Sequence, residues 1–254
     1  MNTAPLCVDL DGTLLKTDTL YELLVRVLKQ QPLLIFLLPV WLLRGKHVLK
    51  HELAIRCQLD PALLPYNSDF LGFLRSEHAN GRKLYLVTGA YKTVAQSIAN
   101  HLEFFSDVFA TDEHTNLTGE RKALLLIEKF GKNGYDYAGN DDVDHVVWSE
   151  AKACYLVNAT PAAAARAKQR INFSGEMDLR KGFSLGNFLK AIRLHQWAKN
   201  ALVFVPLLAS HHMMDMEKLA DVVLAFLAFG CCASFSYVAN DIADLDADRL
   251  HHNK

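Results

Sequence analysis

The chain of 254 residues has no excess of charge: 27 Lys and Arg stand against 28 Asp and Glu, for a net charge of -1. That balance lacks the basic footprint of a protein that grips nucleic acid, so no nucleic-acid partner is expected. Cysteine is sparse and odd in number: Cys7, Cys57, Cys154, Cys231 and Cys232 lie in apolar surroundings without metal-ligand spacing. A disulfide framework and a thiolate metal site are therefore disfavoured, and a reducing, cytosolic setting is expected for most of the chain. There is no internal repeat and no long low-complexity tract. The first residues carry no basic and apolar leader, so no signal peptide is expected.

Apolar residues make up 51% of the chain, but they are unevenly distributed. The run Leu6-Cys7-Val8 reads as a short buried strand that ends in Asp9-Leu10-Asp11-Gly12-Thr13. Side chains alternate along a strand, so two aspartates one residue apart would point the same way. Where a strand is ending, the second carboxylate can instead swing over the first. Strand ends of this kind are where open α/β sheets bind ligands.

Farther along, apolar strands alternate with helical patterns. Lys83 to Val87 leads into Thr88-Gly89, Val108 to Ala110 is a third short strand, and Lys122 lies at the start of a helix reaching about Phe130. Tyr135 to Ala138 runs into Gly139-Asn140-Asp141-Asp142-Val143-Asp144, and Ala153 to Val157 reads as the last strand. This alternation predicts a doubly wound parallel α/β sheet. Between the first two strands, residues 16 to 80 read as a helical insertion. Within it, Gln30 to Leu43 is fourteen residues without a charge, closed by Arg44 and Lys46. The run is short for a membrane span, and two readings are open: a buried cap helix or a membrane-surface contact.

The character changes near Phe173. Residues 1 to 173 are expected to form the first domain and 174 to 187 a glycine-containing linker. From 188 the chain is expected to form a transmembrane helical hairpin. Its first arm is the charge-free run Asn200 to Met214 and its second is Val222 to Ala239, eighteen residues without a charge. Basic residues flank the pair and the intervening loop is net acidic, which predicts both ends on the cytoplasmic side of a multi-pass inner membrane protein. The second run closes in Asn240-Asp241-Ile242-Ala243-Asp244-Leu245-Asp246-Ala247-Asp248. There Asn240, Asp241, Asp244 and Asp248 recur at helical spacings of three and four.

The four strand-end segments resemble the motifs of the haloacid dehalogenase superfamily: Asp9-x-Asp11-Gly12-Thr13, then Thr88, then Lys122, then Gly139-Asn140-Asp141-x-x-Asp144. The resemblance implies that Asp9 is a nucleophile forming an aspartyl-phosphate and that Asp11 moves protons. Thr88 and Lys122 would hold the transferring phosphoryl group. Mg²⁺ would lie among Asp9, the Asp11 carbonyl and the fourth motif, with Asn140, Asp141 and Asp144 as its candidate ligands. Arg121 and Lys129 remain alternatives for the third motif. One departure is Asn140, where the family usually has an aspartate; it offers Mg²⁺ an oxygen but no charge. The insertion at 16 to 80 would be the family's substrate-selecting cap.

The stretch Asn240-Asp241-x-x-Asp244-x-x-x-Asp248 is similar to the first aspartate-rich motif of UbiA-type intramembrane prenyltransferases, and Arg193 to Asn200 to the approach to that family's first helix. This implies a prenyl diphosphate held through Mg²⁺. That family needs further helices and a second acidic motif, so the sequence is expected to be the front part of a two-function protein. Three functions are carried forward. They are a Mg²⁺-dependent phosphatase on a membrane anchor, a non-catalytic module holding a phosphorylated lipid, and prenyl transfer by a longer form. The substrate would be a phosphorylated small molecule or a prenyl-phosphate lipid.

Overall fold

A computed structural model describes residues 4–170, 173–178, 184–210 and 214–251. The chain divides into two compact units, Met1–Arg180 and Lys181–Lys254.

The first unit is built on a six-stranded parallel sheet. Strand β1 is Leu6–Val8, followed by a wide turn at Leu10–Leu14. A helical insertion comes next: α1 (Thr19–Gln30), a 3₁₀ turn (Pro32–Phe36), α2 (Leu38–Arg44) and α3 (Lys46–Ala54), then α4 (Ser68–Ala79). The sheet resumes with β2 (Leu84–Tyr91), α5 (Lys92–Leu102), β3 (Asp107–Thr111), α6 (Glu120–Phe130) and β4 (Asp136–Gly139). It finishes with α7 (His145–Glu150), β5 (Ala153–Val157), α8 (Pro161–Arg170) and β6 (Phe173–Met177). The strand order is β3-β2-β1-β4-β5-β6. The chain thus winds outward from β1 to one edge and then from β4 to the other. That order reverses at the carboxyl ends of β1 and β4, the place where open α/β sheets bind ligands. This is the expected doubly wound α/β fold with a helical insertion.

Strand alternation distributes the core over both faces of the sheet. Leu6, Val8, Leu84, Leu86 and Ala138 pack on one side with α1, α4 and α5, while Cys7, Val87, Tyr137 and Leu156 pack on the other with α6, α7 and α8. All these strand residues are fully buried, which is why parallel strands read as near-continuous apolar runs. The two ends of the insertion are stitched together. Lys16 N–H donates to the Pro65 carbonyl at 2.9 Å, Asn67 N–H donates to the Leu14 carbonyl at 2.9 Å, and the Asn67 side-chain amide donates to the Thr13 carbonyl. The insertion is therefore anchored directly beside the turn that carries Asp11.

The boundary at the end of the sheet differs from the expectation. The segment expected as linker from 174 begins with β6, which pairs in parallel with β5, and Asn158 N–H donates to the Met177 carbonyl at 2.9 Å. The exposed edge of β5 supplies backbone partners that composition could not reveal, so Ala153–Val157 is the fifth strand of six. Residues 179–183 of that expected linker lie outside the described residues.

The second unit contains α9 (Leu185–Ala191), a 3₁₀ segment (Leu194–Phe204), α10 (Val205–Ala209), α11 (Met216–Ala243) and α12 (Leu245–His251). Among the described residues one helix is long and apolar enough to cross a membrane, Met216–Ala243, with a mean hydropathy of 2.1 in its most apolar window. The expected first arm is not a continuous span. Asn200 to Ala209 is the end of a 3₁₀ segment followed by a short helix that starts at a proline-containing turn; residues 211–213 lie outside the described residues. The 3₁₀ segment packs on α11 through Trp197, whose Nε1–H donates to Ser234 Oγ at 3.0 Å. A Cβ at Gly230 would come within 2.6 Å of the Trp197 ring, so the missing side chain is what admits the indole.

Truncating a side chain locked between strands should leave a cavity. Leu86→Ala is expected to cost about 2–5 kcal/mol. Leu124→Ala, at a helix position that is 66% exposed, should stay within about 0.5 kcal/mol. Denaturant unfolding of the detergent-solubilised chain measures both, and equal costs would contradict this packing.

Candidate active site

The turn at the end of β1 sets the geometry. Asp9 is still extended, with φ -76° and ψ 156°, and its N–H donates to the Ala138 carbonyl of β4 at 2.9 Å. The chain then folds back, with Leu14 and Leu15 N–H donating to the Asp9 and Leu10 carbonyls at 3.3 and 2.9 Å. Gly12 adopts φ +74°, and a Cβ there would lie 2.2 Å from Asn140 Nδ2. Both the backbone conformation and the close approach of the fourth-motif side chain require glycine at this point.

Lys122 enters from the first turn of α6 and is buried. Its ammonium donates to Asp9 Oδ1 at 2.9 Å, to the Tyr137 hydroxyl at 2.7 Å and to Asp144 Oδ1 at 3.4 Å. The Tyr137 hydroxyl in turn donates to Asp144 Oδ1 at 2.8 Å. Burial alone would lower the lysine's affinity for its proton, but the Asp9 and Asp144 carboxylates more than offset it and hold the group charged. Asp9 is shifted the other way: burial pushes its carboxyl up, Lys122 pulls it back, and Asp144 and Asp11 push again. The lysine is a true counter-ion, and the strain on Asp9 comes from desolvation and neighbouring acids.

Asp11 Oδ1 accepts from Thr19 N–H, at the start of α1, at 2.8 Å. Burial and then the nearby Asp18 raise its carboxyl above the ordinary range. The β1–β2 register pairs Val8 with Leu86, which carries Thr88 to the level just beyond Asp9. Thr88 is fully buried, and its Oγ1 accepts from Ala90 N–H at 2.9 Å. The sheet therefore brings the ends of β1, β2 and β4 and the head of α6 to one place.

In the fourth motif, Asn140 Oδ1 accepts from Thr13 Oγ1 at 3.2 Å. Asp141 is exposed, and its Oδ1 accepts from Asp142 N–H at 2.6 Å. Sequence spacing puts Asp144 in the metal set, but the structure occupies both of its oxygens. Oδ1 takes Lys122 and Tyr137, and Oδ2 takes the N–H groups of Asn140 and Asp141, both at 3.3 Å. Asp144 thus anchors the lysine and the loop.

Among the described residues no group of three or more His, Cys, Asp or Glu side chains is assembled for a metal ion. Peptide and amide oxygens are the other donors at this place. Asp9, the Asp11 carbonyl and Asn140 could offer Mg²⁺ oxygen donors only, the kind of donor that suits it. Asp9 and Asp144 together also exceed the single positive charge of Lys122, and Asp144 adds to the rise that burial imposes on the Asp9 carboxyl. The residues present fit a divalent cation, with one charged donor fewer than an aspartate at 140 would provide.

Two contributors escaped the sequence reading. Tyr137 looked like an ordinary strand residue. The signal was a hydroxyl two positions before Gly139, on the strand face opposite Ala138. Lys50 comes from α3 of the insertion, where it donates to the Gly89 carbonyl at 2.6 Å and Asn116 Oδ1 at 3.1 Å. Burial lowers its affinity for a proton while Asp11 and Asp18 raise it. His51 Nδ1 lies 2.7 Å from the Tyr91 hydroxyl, so α3 is latched to the end of β2 at two successive residues.

The second expected site is not gathered in the same way. Asn240, Asp241, Asp244 and Asp248 are exposed, and the helix breaks at Asp244 between α11 and α12. Asp241 accepts from Arg193 at 2.7 Å, and the same guanidinium lies 4.8 Å over the Tyr237 ring.

The haloacid dehalogenase-like hydrolase family model matches residues 6–133, half of the chain. The chain belongs to the haloacid dehalogenase-like hydrolases. The matched residues take in β1 to β3, the insertion and the Asp9, Thr88 and Lys122 positions. A crystal structure of a Bordetella pertussis protein with unknown function has the same fold, with a TM-score of 0.52 at 16% identity over 68% of this chain and 99% of that one. The uncharacterized protein y4nM of Sinorhizobium fredii is 35% identical over 98% of this chain and 48% of its own length. The C-terminal portion is similar to UbiA-type prenyltransferases. The decaprenyl-phosphate phosphoribosyltransferase of Mycobacterium tuberculosis is 41% identical over 70 residues, 26% of this chain and 23% of that enzyme. The chain thus spans about half the length of the first of these relatives and about a quarter of the second.

Lys122 touches two buried acids, so its removal should leave them uncompensated. Lys122→Met is expected to destabilise the chain by about 3–5 kcal/mol in the presence of chelator. Adding Asp9→Asn should recover about 1–3 kcal/mol of that loss. Additive losses in this unfolding cycle would show that the pair is not coupled.

Proposed function

We propose that the first unit is a Mg²⁺-dependent phosphatase that works through a phosphorylated Asp9. The observation that carries this reading is the buried Asp9–Lys122 pair at the point where the strand order reverses, with Asp11 one turn farther on. Asp9 presents a carboxylate whose Oδ1 is held by Lys122, which orients the group toward an incoming phosphorus. Attack forms a P–O bond to Asp9 and breaks the bond to the leaving alcohol. Asp11, with its raised carboxyl, is suited to give that alcohol a proton and then to take one from the water that releases phosphate. Lys122 offsets negative charge on the phosphoryl oxygens, and Thr88 is placed to donate to one of them. Mg²⁺, held by Asp9, the Asp11 carbonyl and Asn140, with Asp141 able to join from the loop, would add charge neutralisation at the same oxygens. The insertion, latched through Lys50 and His51, excludes water and limits what enters.

The substrate class is a phosphorylated small molecule or a prenyl-phosphate lipid, with no nucleic-acid role. The lipid arm is supported by Met216–Ala243 and by the similarity of the C-terminal portion to enzymes named for decaprenyl phosphate. The same similarity supports a second reading for the C-terminal unit. In a longer protein, Asn240, Asp241, Asp244 and Asp248 would bind a prenyl diphosphate through Mg²⁺, in a multi-pass membrane segment with the first unit on the cytoplasmic side. A non-catalytic role in holding a phosphorylated lipid is the alternative that a weak metal site at Asn140 would favour.

Phosphate release from a panel of prenyl phosphates and sugar phosphates tests the reading. Wild type should exceed Asp9→Asn by about a thousandfold or more on at least one compound. Asn140→Asp should lower the Mg²⁺ concentration for half-maximal rate by about tenfold, the order expected of one added charged ligand. A wild type no faster than Asp9→Asn on every compound would leave the holding role standing in its place.

A further inference from the structure

The apolar segment of the insertion has two apolar faces, and the core uses one of them. Leu34, Leu38 and Trp41 turn inward, with Trp41 5% exposed and Arg56 stacked 4.8 Å from its ring. On the other side Leu33, Phe36, Val40 and Leu43 face solvent at 78, 75, 49 and 89% exposure. These positions recur at intervals of three and four, so they form one continuous stripe along the 3₁₀ turn and α2. Leaving several large apolar side chains in water over two turns is costly for an isolated domain, and patches of this kind mark interaction surfaces.

The charges around the stripe say what covers it. Residues 23 to 51 contain no aspartate or glutamate, while Arg44, Lys46, His47 and Lys29 border the stripe in sequence. Arg44 and Lys46 are exposed at the carboxyl end of α2 and the start of α3. A second copy would bring these cations against their equivalents, which opposes self-association. An apolar stripe edged by cations is instead complementary to acyl chains beneath anionic headgroups. The same chain carries a helix long enough to cross a bilayer, so a lipid surface would be tethered to it at high effective concentration.

We infer that Leu33, Phe36, Val40 and Leu43 form a membrane-docking stripe that inserts among the lipids of an anionic bilayer, with Arg44 and Lys46 on the headgroups. This does not depend on the proposed reaction. It places the insertion that covers Asp9 at a lipid surface, where an amphiphilic phosphate would be met.

Hydroxyl-radical footprinting of the full chain in lipid nanodiscs tests it, with phosphatidylcholine alone or with about a third phosphatidylglycerol. Oxidation of Phe36 and Leu43 is normalised to Leu124 of α6. In anionic discs the normalised oxidation should fall about fivefold below that in neutral discs. Arg44→Gln with Lys46→Gln, both at exposed positions, should restore the neutral-disc value. Equal oxidation in the two lipids overturns the proposal. If it is high in both, the stripe stays in water; if it is low in both and unchanged by the double substitution, protein covers it.

Discussion

The first unit depends on holding carboxylates together out of water. Asp9 and Asp11 at the end of β1 and Asp144 after β4 are brought close to one another, and among the described residues Lys122 is the one cation in direct contact with two of them. Such an arrangement is unfavourable on its own. It is tolerated because the sheet fixes the end of β1 between β2 and β4, Tyr137 shares the lysine's contacts, and Asp144 is satisfied on both oxygens. The negative charge that remains in excess is what a divalent cation would offset under the proposed reaction.

The same demand shapes the backbone. Gly12 must take a left-handed conformation and must lack a side chain, because Asn140 occupies the space above it. The two ends of the insertion are tied to each other and to this turn, beside Asp11. Lys50 and His51 then close the other side by binding the end of β2. The candidate site and the contacts that hold the insertion therefore share one small region, although the residues involved range from 9 to 144.

Much of this was legible before the structure. Aspartates in a Gly-Thr turn after an apolar run, a threonine and glycine after the next strand, and an acidic loop after another are local signals, and each lies where the sheet needs it. What was not legible depends on tertiary partners. Tyr137 hides because a tyrosine in a strand packs well whether or not its hydroxyl is used. Lys50 hides on a helix whose charged residues look solvated. Asp144 reads as a ligand by spacing, yet its hydrogen bonds tie it to Lys122. The sixth strand was missed because Phe173–Met177 is ordered by the free edge of β5 rather than by its own composition. Asn200 to Ala209 shows the converse, since this part of an uncharged run that suggested a span folds as the end of a 3₁₀ segment and a short helix, with Trp197 seated against Gly230 of its neighbour.

The central claim is that Asp9 becomes covalently phosphorylated. Borohydride trapping of the full chain during turnover of an acyl or aryl phosphate, followed by peptide mass spectrometry, tests it directly, because reduction converts an aspartyl-phosphate to homoserine. The account predicts homoserine at position 9 that is absent from Asp9→Asn. Continued phosphate release by wild type with an unmodified Asp9, or modification at Asp11 instead, would contradict it.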